Sequence, residues 1–149
     1  MNTESVYIIG AGASKEADLP TGIELKSIIS KLLNFKFDGY EMTSGDYIIK
    51  NALQEHVKKP DGNRGDINPY LKEALHIKGA LPLAISIDNF IDAHRDNEKL
   101  ALCGKLSIIR AILSAEKKSL LFFKKDRVDS TINFTHLEKT WYLNFFQVI

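Results

Sequence analysis

The chain has 149 residues, 44% hydrophobic and 26% charged, with 20 basic against 19 acidic side chains and one cysteine. That length suits one domain, and the hydrophobic share supplies a core that an intrinsically disordered chain lacks. A net charge of +1 gives no field to hold a nucleic-acid backbone or an anionic membrane, and one cysteine cannot make an internal disulfide or a multi-thiolate zinc site.

Residues 1–5 carry Glu4 and no basic side chain, which is not a signal peptide. No stretch approaches the ~20 apolar residues of a spanning helix, so a soluble, cytoplasmic protein without a membrane partner is expected. Residues 6–9, Val-Tyr-Ile-Ile, read as a short buried strand that stops at Gly10. The turn Gly10-Ala11-Gly12-Ala13-Ser14 follows, and after the break at Pro20 comes a helix with Leu25, Ile28, Ile29, Leu32 and Leu33 on one side. Thr21 and Glu24 have capping-box spacing.

Residues 34–44 read as a connector and 46–57 as a second helix. Residues 58–69, containing Lys-Lys-Pro-Asp-Gly-Asn-Arg-Gly-Asp, form a surface loop. A short helix is expected at 70–77, broken by Gly79 and Pro82, and another opens near Ser86 or Asp88 as cap. The longest helix is placed at 97–118, with Leu102, Leu106, Ile109 and Leu113 as its apolar face. Residues 120–123, Leu-Leu-Phe-Phe, are strand or helix end. Thr135 and Glu138 form a second capping box, opening a helix with Leu137, Trp141 and Phe145 on its apolar side.

The elements are unbalanced. A strand, a glycine turn and a helix normally belong to a parallel sheet, since a lone buried strand leaves backbone groups unpaired. The further strands are missing, which points to one incomplete domain over 1–149 and to unpaired edges that favour a homo-oligomer. An all-α domain with one stray extended segment is the alternative.

The glycine turn sits where a phosphate-binding turn would sit, ahead of a helix N-terminus with free N–H groups. Lys15 holds the place of the third glycine of the common dinucleotide fingerprint, and Pro20 interrupts before the helix. No Gly-Lys-Ser/Thr follows, so this is not a P-loop. Alone, a Gly-x-Gly pair is as well explained by a structural turn.

The longer string is more specific. Gly10-Ala-Gly-Ala-Ser14 followed by Ala17-Asp-Leu-Pro-Thr-Gly22 resembles the opening of sirtuin-like NAD-binding domains. Ser86-Ile-Asp-Asn-Phe-Ile-Asp92, Cys103-Gly-Lys105 with Ala115-Glu-Lys117, and Thr140-Trp-Tyr142 look like the bacterial branch of that family. The resemblance implies an α/β, Rossmann-like sirtuin-type domain. This chain would be its N-terminal part, with one or two strands and a mostly helical remainder.

The resemblance also implies NAD as ligand or substrate, and hydrolysis to nicotinamide and ADP-ribose, often in antiphage defence. The cofactor-binding residues it suggests are Gly10, Ala11, Gly12, Ala13, Ser14, Pro20, Thr21, Asp88 and Asn89. The glycine turn would hold the diphosphate, Ser14 and Thr21 would donate hydrogen bonds, and Asp88 with Asn89 would orient ribose or water. The family's Asn-x-Asp element and later histidine have no counterpart in 1–149, so no catalytic residue is assigned. With no cysteines for the zinc ribbon of deacylating sirtuins, the family comparison favours a hydrolase and no metal. A nucleotide-binding module without catalysis and a helical interaction module remain open.

Plainer roles stand beside these. Pro20 suits a helix start, and Asp88 and Asn89 suit a cap. His56, His76 and His136 suit the surface, while His94 is a candidate pocket residue. Four scattered histidines show no metal-ligand spacing. Cys103 reads as a buried small residue. Trp141, Tyr142, Phe145 and Phe146 read as core or docking surface, and Lys117, Lys118, Lys124 and Lys125 as solvated.

Overall fold

The computed structural model describes residues 12–119 together with Thr140 and Trp141. The expected strand at 6–9, the segment 120–123, the capping box at Thr135 and the aromatic residues after Trp141 lie outside the described residues. The chain divides into two compact units, Met1–Thr21 with Ser114–Ile149 and Gly22–Leu113. Described residues of the first unit form a 3-10 helix at Ala13–Ala17.

The second unit is mostly helical. In order come α1 (Gly22–Leu32), β1 (Lys36–Asp38), β2 (Glu41–Ser44), α2 (Tyr47–His56), α3 (Asn68–Ala80), α4 (Ile87–Ala93) and α5 (Glu98–Glu116), whose last turn crosses the unit boundary. Among the described residues the only sheet is the antiparallel pair β1–β2, and no helix is long and apolar enough to cross a membrane.

α1 forms where the three-and-four spacing places it. Ile29 and, just past its end, Leu33 are fully buried, each stabilising by about 1.5–3 kcal/mol. The segment expected as a connector is instead a hairpin with a buried anchor. Phe37 pairs with Met42 and Asp38 with Glu41, and Phe35 just before β1 joins the core. At Gly45 φ is +99°, and an added Cβ would lie 2.5 Å from the Phe35 ring. Glycine is required there by conformation and by space.

α2 begins at Asp46, whose Oδ1 accepts the Ile49 N–H at 2.9 Å. The loop before α3 is held by local bonds: Asp61 accepts from Asn63, and Asp66 accepts from the Asn68 N–H. α3 runs through Gly79, contrary to the expected break. That glycine lies exposed on the outer face, so it weakens the helix by propensity alone, about 1 kcal/mol. The helix ends at Ala80 and the turn containing Pro82 follows.

The face of α5 corrects the sequence reading. Its buried residues are Leu100, Cys103, Gly104, Ser107 and Ala111, whereas Ile109 and Leu113 are exposed. Small size decides this. A Cβ on Gly104 would stand 2.5 Å from Ile91 Cδ1, so this stripe admits a closer approach of α4 than a leucine stripe would. Ser107 is satisfied within its own helix, its Oγ donating to the Gly104 carbonyl at 2.7 Å.

α1, α2 and α5 meet at Asp46. Its N–H donates to the Leu32 carbonyl at 2.9 Å and its Oδ2 accepts from Arg110 Nε at 3.0 Å. Asp46→Ala removes cap and ion pair together and is expected to cost about 2 kcal/mol. Asp46→Asn keeps a good cap and is expected to cost roughly half that. Urea unfolding of the two variants checks it: equal losses would show that the cap contributes nothing.

Candidate functional site

Gly10 and Ala11 lie outside the described residues. Gly12 is the N-cap of the 3-10 helix, with φ −60° and ψ −32°. It is exposed, and among the described residues a Cβ there would meet nothing within 4 Å. Lys15 donates its N–H to the Gly12 carbonyl at 3.2 Å. A single helical turn therefore starts directly after the second glycine of the motif.

The turn closes at Asp18, in the left-handed region at φ 61°, with its N–H on the Lys15 carbonyl at 3.0 Å. Leu19, Pro20 and Thr21 then lead to α1. Pro20 lies two residues before that helix, not in its first turn as a helix-starting proline would. Ser14, Pro20 and Thr21 are all half-buried.

Trp141 is part of this unit. Its indole Nε1 donates to the Ala13 carbonyl at 3.0 Å, and its backbone N–H donates to Glu16 Oε2 at 2.7 Å. Thr140 beside it is buried. The aromatic residue expected as core or docking surface thus docks on the glycine motif's own helical turn. Sequence reading missed this because the partners are more than 120 residues apart and one is a backbone carbonyl.

Asp88 and Asn89 belong to the second unit, on α4. Ser86 caps that helix: its Oγ accepts the Asn89 N–H at 3.1 Å and donates to Asn89 Oδ1 at 2.9 Å. The capping role therefore accounts for Asn89, whose side-chain carbonyl is occupied by its own helix start. Asp88 is exposed in the first turn. It lines an open groove of about 310 Å³ between α4 and α5, with Asp92, Arg95 and Lys105 over a floor of Ile91, Ala101 and Ile108. The alternation of two carboxylates and two cations gives this groove no single sign of charge. A second concavity, about 430 Å³, lies between α1 and the turn at Leu81 and Pro82, beside the bond from Lys26 Nζ to the Ala84 carbonyl at 2.8 Å.

His94 does not line either concavity. It is the C-cap residue of α4, with Nδ1 2.8 Å from the Phe90 carbonyl. Its ring centroid lies 4.3 Å from Phe90 and 5.7 Å from His76. This three-ring cluster packs α3 on α4. His76 also pairs with Glu73 one turn earlier, at 3.4 Å, and among the described residues no three His, Cys, Asp or Glu side chains converge to hold a metal ion.

Neither a family model, a curated protein nor a solved structure matches the chain.

Cys103 is fully buried and its Sγ donates to the Tyr70 carbonyl at 3.3 Å. Burial, and then the nearby Glu73 carboxylate, push its pKa up to about 12, so it is no nucleophile at neutral pH. An unfolded cysteine ionises near pH 8.5, so Cys103 favours folding fully below that pH and progressively less as pH rises toward 12. Native protein at pH 8 is expected to resist thiol reagents until denatured, and Cys103→Ala to flatten the alkaline loss of stability. Rapid labelling of the folded chain at pH 8 would contradict the burial.

Proposed function

We propose that this chain binds NAD or an NAD-derived nucleotide through the Gly10–Ser14 turn, as the N-terminal part of a Rossmann-like, sirtuin-type domain. In a domain that also supplies an Asn-x-Asp element, the bound NAD is hydrolysed to nicotinamide and ADP-ribose, the chemistry that antiphage members of the family perform.

The observation that carries the reading is the environment of Gly12. Its φ is one that any residue adopts, and its missing side chain would fill open space. Neither conformation nor packing demands glycine at this position. Close approach of a ligand would make use of it, because phosphate oxygens must reach backbone N–H groups that a side chain would shield. The first N–H groups of the 3-10 turn at Ala13 have no carbonyl within that turn to accept them, and Ser14 adds a hydroxyl donor.

Chemistry at the ribose needs more than this turn. Breaking the nicotinamide–ribose bond builds oxocarbenium character, which calls for a positioned sugar and a negative wall beside it. Asn89 is engaged by Ser86, and Asp88 opens onto the α4–α5 groove. Neither is assigned a catalytic role, and residues 1–149 alone are expected to release nicotinamide at no more than trace rates.

Titration calorimetry with NAD tests the binding. The wild-type chain is expected to bind. NAD at 100 times its dissociation constant stabilises a folded state by about 2.7 kcal/mol, seen as a rise of several degrees in Tm. Gly12→Val is expected to abolish binding while its helical circular dichroism is unchanged, and Gly12→Ala to weaken it less. Equal NAD affinity in wild type and a folded Gly12→Val protein would remove the turn from the ligand site.

A further inference from the structure

The apolar face of α5 that sequence periodicity marks as core is turned outward in its C-terminal half. Ile109 is 54% and Leu113 50% exposed, while Leu102 and Leu106 on the same line are half-buried, packed in part against the core and in part open to solvent. One step beyond each end of that line stand Lys99 and Glu116, both exposed. The whole stripe, Lys99, Leu102, Leu106, Ile109, Leu113 and Glu116, steps by three, four, three, four and three. That is the seam of a coiled coil.

The charges say which partner fits. Laid antiparallel on a second copy of itself, the seam matches in every layer: Lys99 meets Glu116 of the other copy, Leu102 meets Leu113, and Leu106 meets Ile109. By two-fold symmetry each contact occurs twice. A parallel pairing sets Lys99 on Lys99 and Glu116 on Glu116, and like charges reject it. The same two residues also oppose the helix dipole, Lys99 in the first turn beside the dipole-favouring Glu98 and Glu116 in a last turn that holds no basic residue. A lone helix gains nothing from that arrangement; an antiparallel pair does.

We propose that α5 is a self-association surface, pairing antiparallel with α5 of a second copy about a two-fold axis at the Ser107–Ile108 level. A seam of about 26 Å with four aliphatic side chains per copy is smaller than a standard stable interface, so the dimer is weak and concentration-dependent. This inference stands apart from the NAD reading and does not rest on it.

Sedimentation equilibrium of the full chain from ~5 to ~500 μM, a range that spans weak dimerisation, tests it. The wild-type chain is expected to pass from monomer to dimer over that range. Ile109→Lys, at an exposed position, should keep its thermal melt and stay monomeric. Lys99→Glu alone and Glu116→Lys alone should each weaken association about tenfold. The double exchange, Lys99→Glu with Glu116→Lys, should bring it back. Each single change suits the helix dipole better than the native residue, so loss of association would not reflect loss of the helix. A wild-type chain that remains monomeric, an Ile109→Lys chain that still dimerises, or a double exchange that restores nothing would overturn the proposal.

Discussion

The carboxylate of Asp46 gives direction to three helices that otherwise share only a hydrophobic core. One oxygen accepts the Ile49 N–H at the start of α2, the other accepts from Arg110 on α5, and the residue's own N–H reaches the last turn of α1 at Leu32. The Asp46 side chain is only 11% exposed and that of Arg110 27%, so the pair is screened less than a surface ion pair. Hydrophobic burial stabilises the unit but is indifferent to direction. Asp46 is directional, and it fixes where α2 begins relative to the helices that cover it. A neighbouring chain of bonds does the same for the hairpin: Lys78 donates to Asn34, whose amide donates to Ser44.

Within that frame the core depends on small residues as much as on large ones. Ile29, Leu33, Ile49, Leu53 and Ile77 supply bulk, while Cys103, Gly104, Ser107 and Ala111 keep α5 slim where it is covered. Interiors are packed nearly as tightly as organic crystals, so the bulky side chains of α3 and α4 need a thin neighbour. Leu100 alone of the α5 leucines is fully buried; Leu102, Leu106 and Leu113 lie toward the rim.

Much of the helical order was legible from spacing and caps. Ser86, expected as one of two possible caps, accepts the Asn89 N–H, and the helix starts expected at Asp46 and Asn97 prove to be capped by those residues in the same way. What was hidden has physical reasons. Strands of three and four residues, the first wholly exposed, show no alternation to read; only Asp38-Gly39 marked the turn. The true face of α5 was masked because periodicity counts hydrophobicity and not size. At the candidate site, the glycine turn stood out in the sequence. The double duty of Asn89 with Ser86 and the seat of Trp141 were not visible, because side-chain bonds to nearby backbone or to distant carbonyls leave no pattern in composition. The segments expected as strands at 6–9 and 120–123, on which a sirtuin-type sheet would rest, lie outside the described residues.

Trp141 is the chain's single tryptophan, and its indole N–H rests on the carbonyl of Ala13, the residue after Gly12. The emission of an indole shifts with the polarity and hydrogen bonding around it. All tryptophan fluorescence from this protein therefore originates one residue away from the glycine, with no second emitter to dilute it. The fold has placed an intrinsic optical probe on the turn proposed to hold the nucleotide.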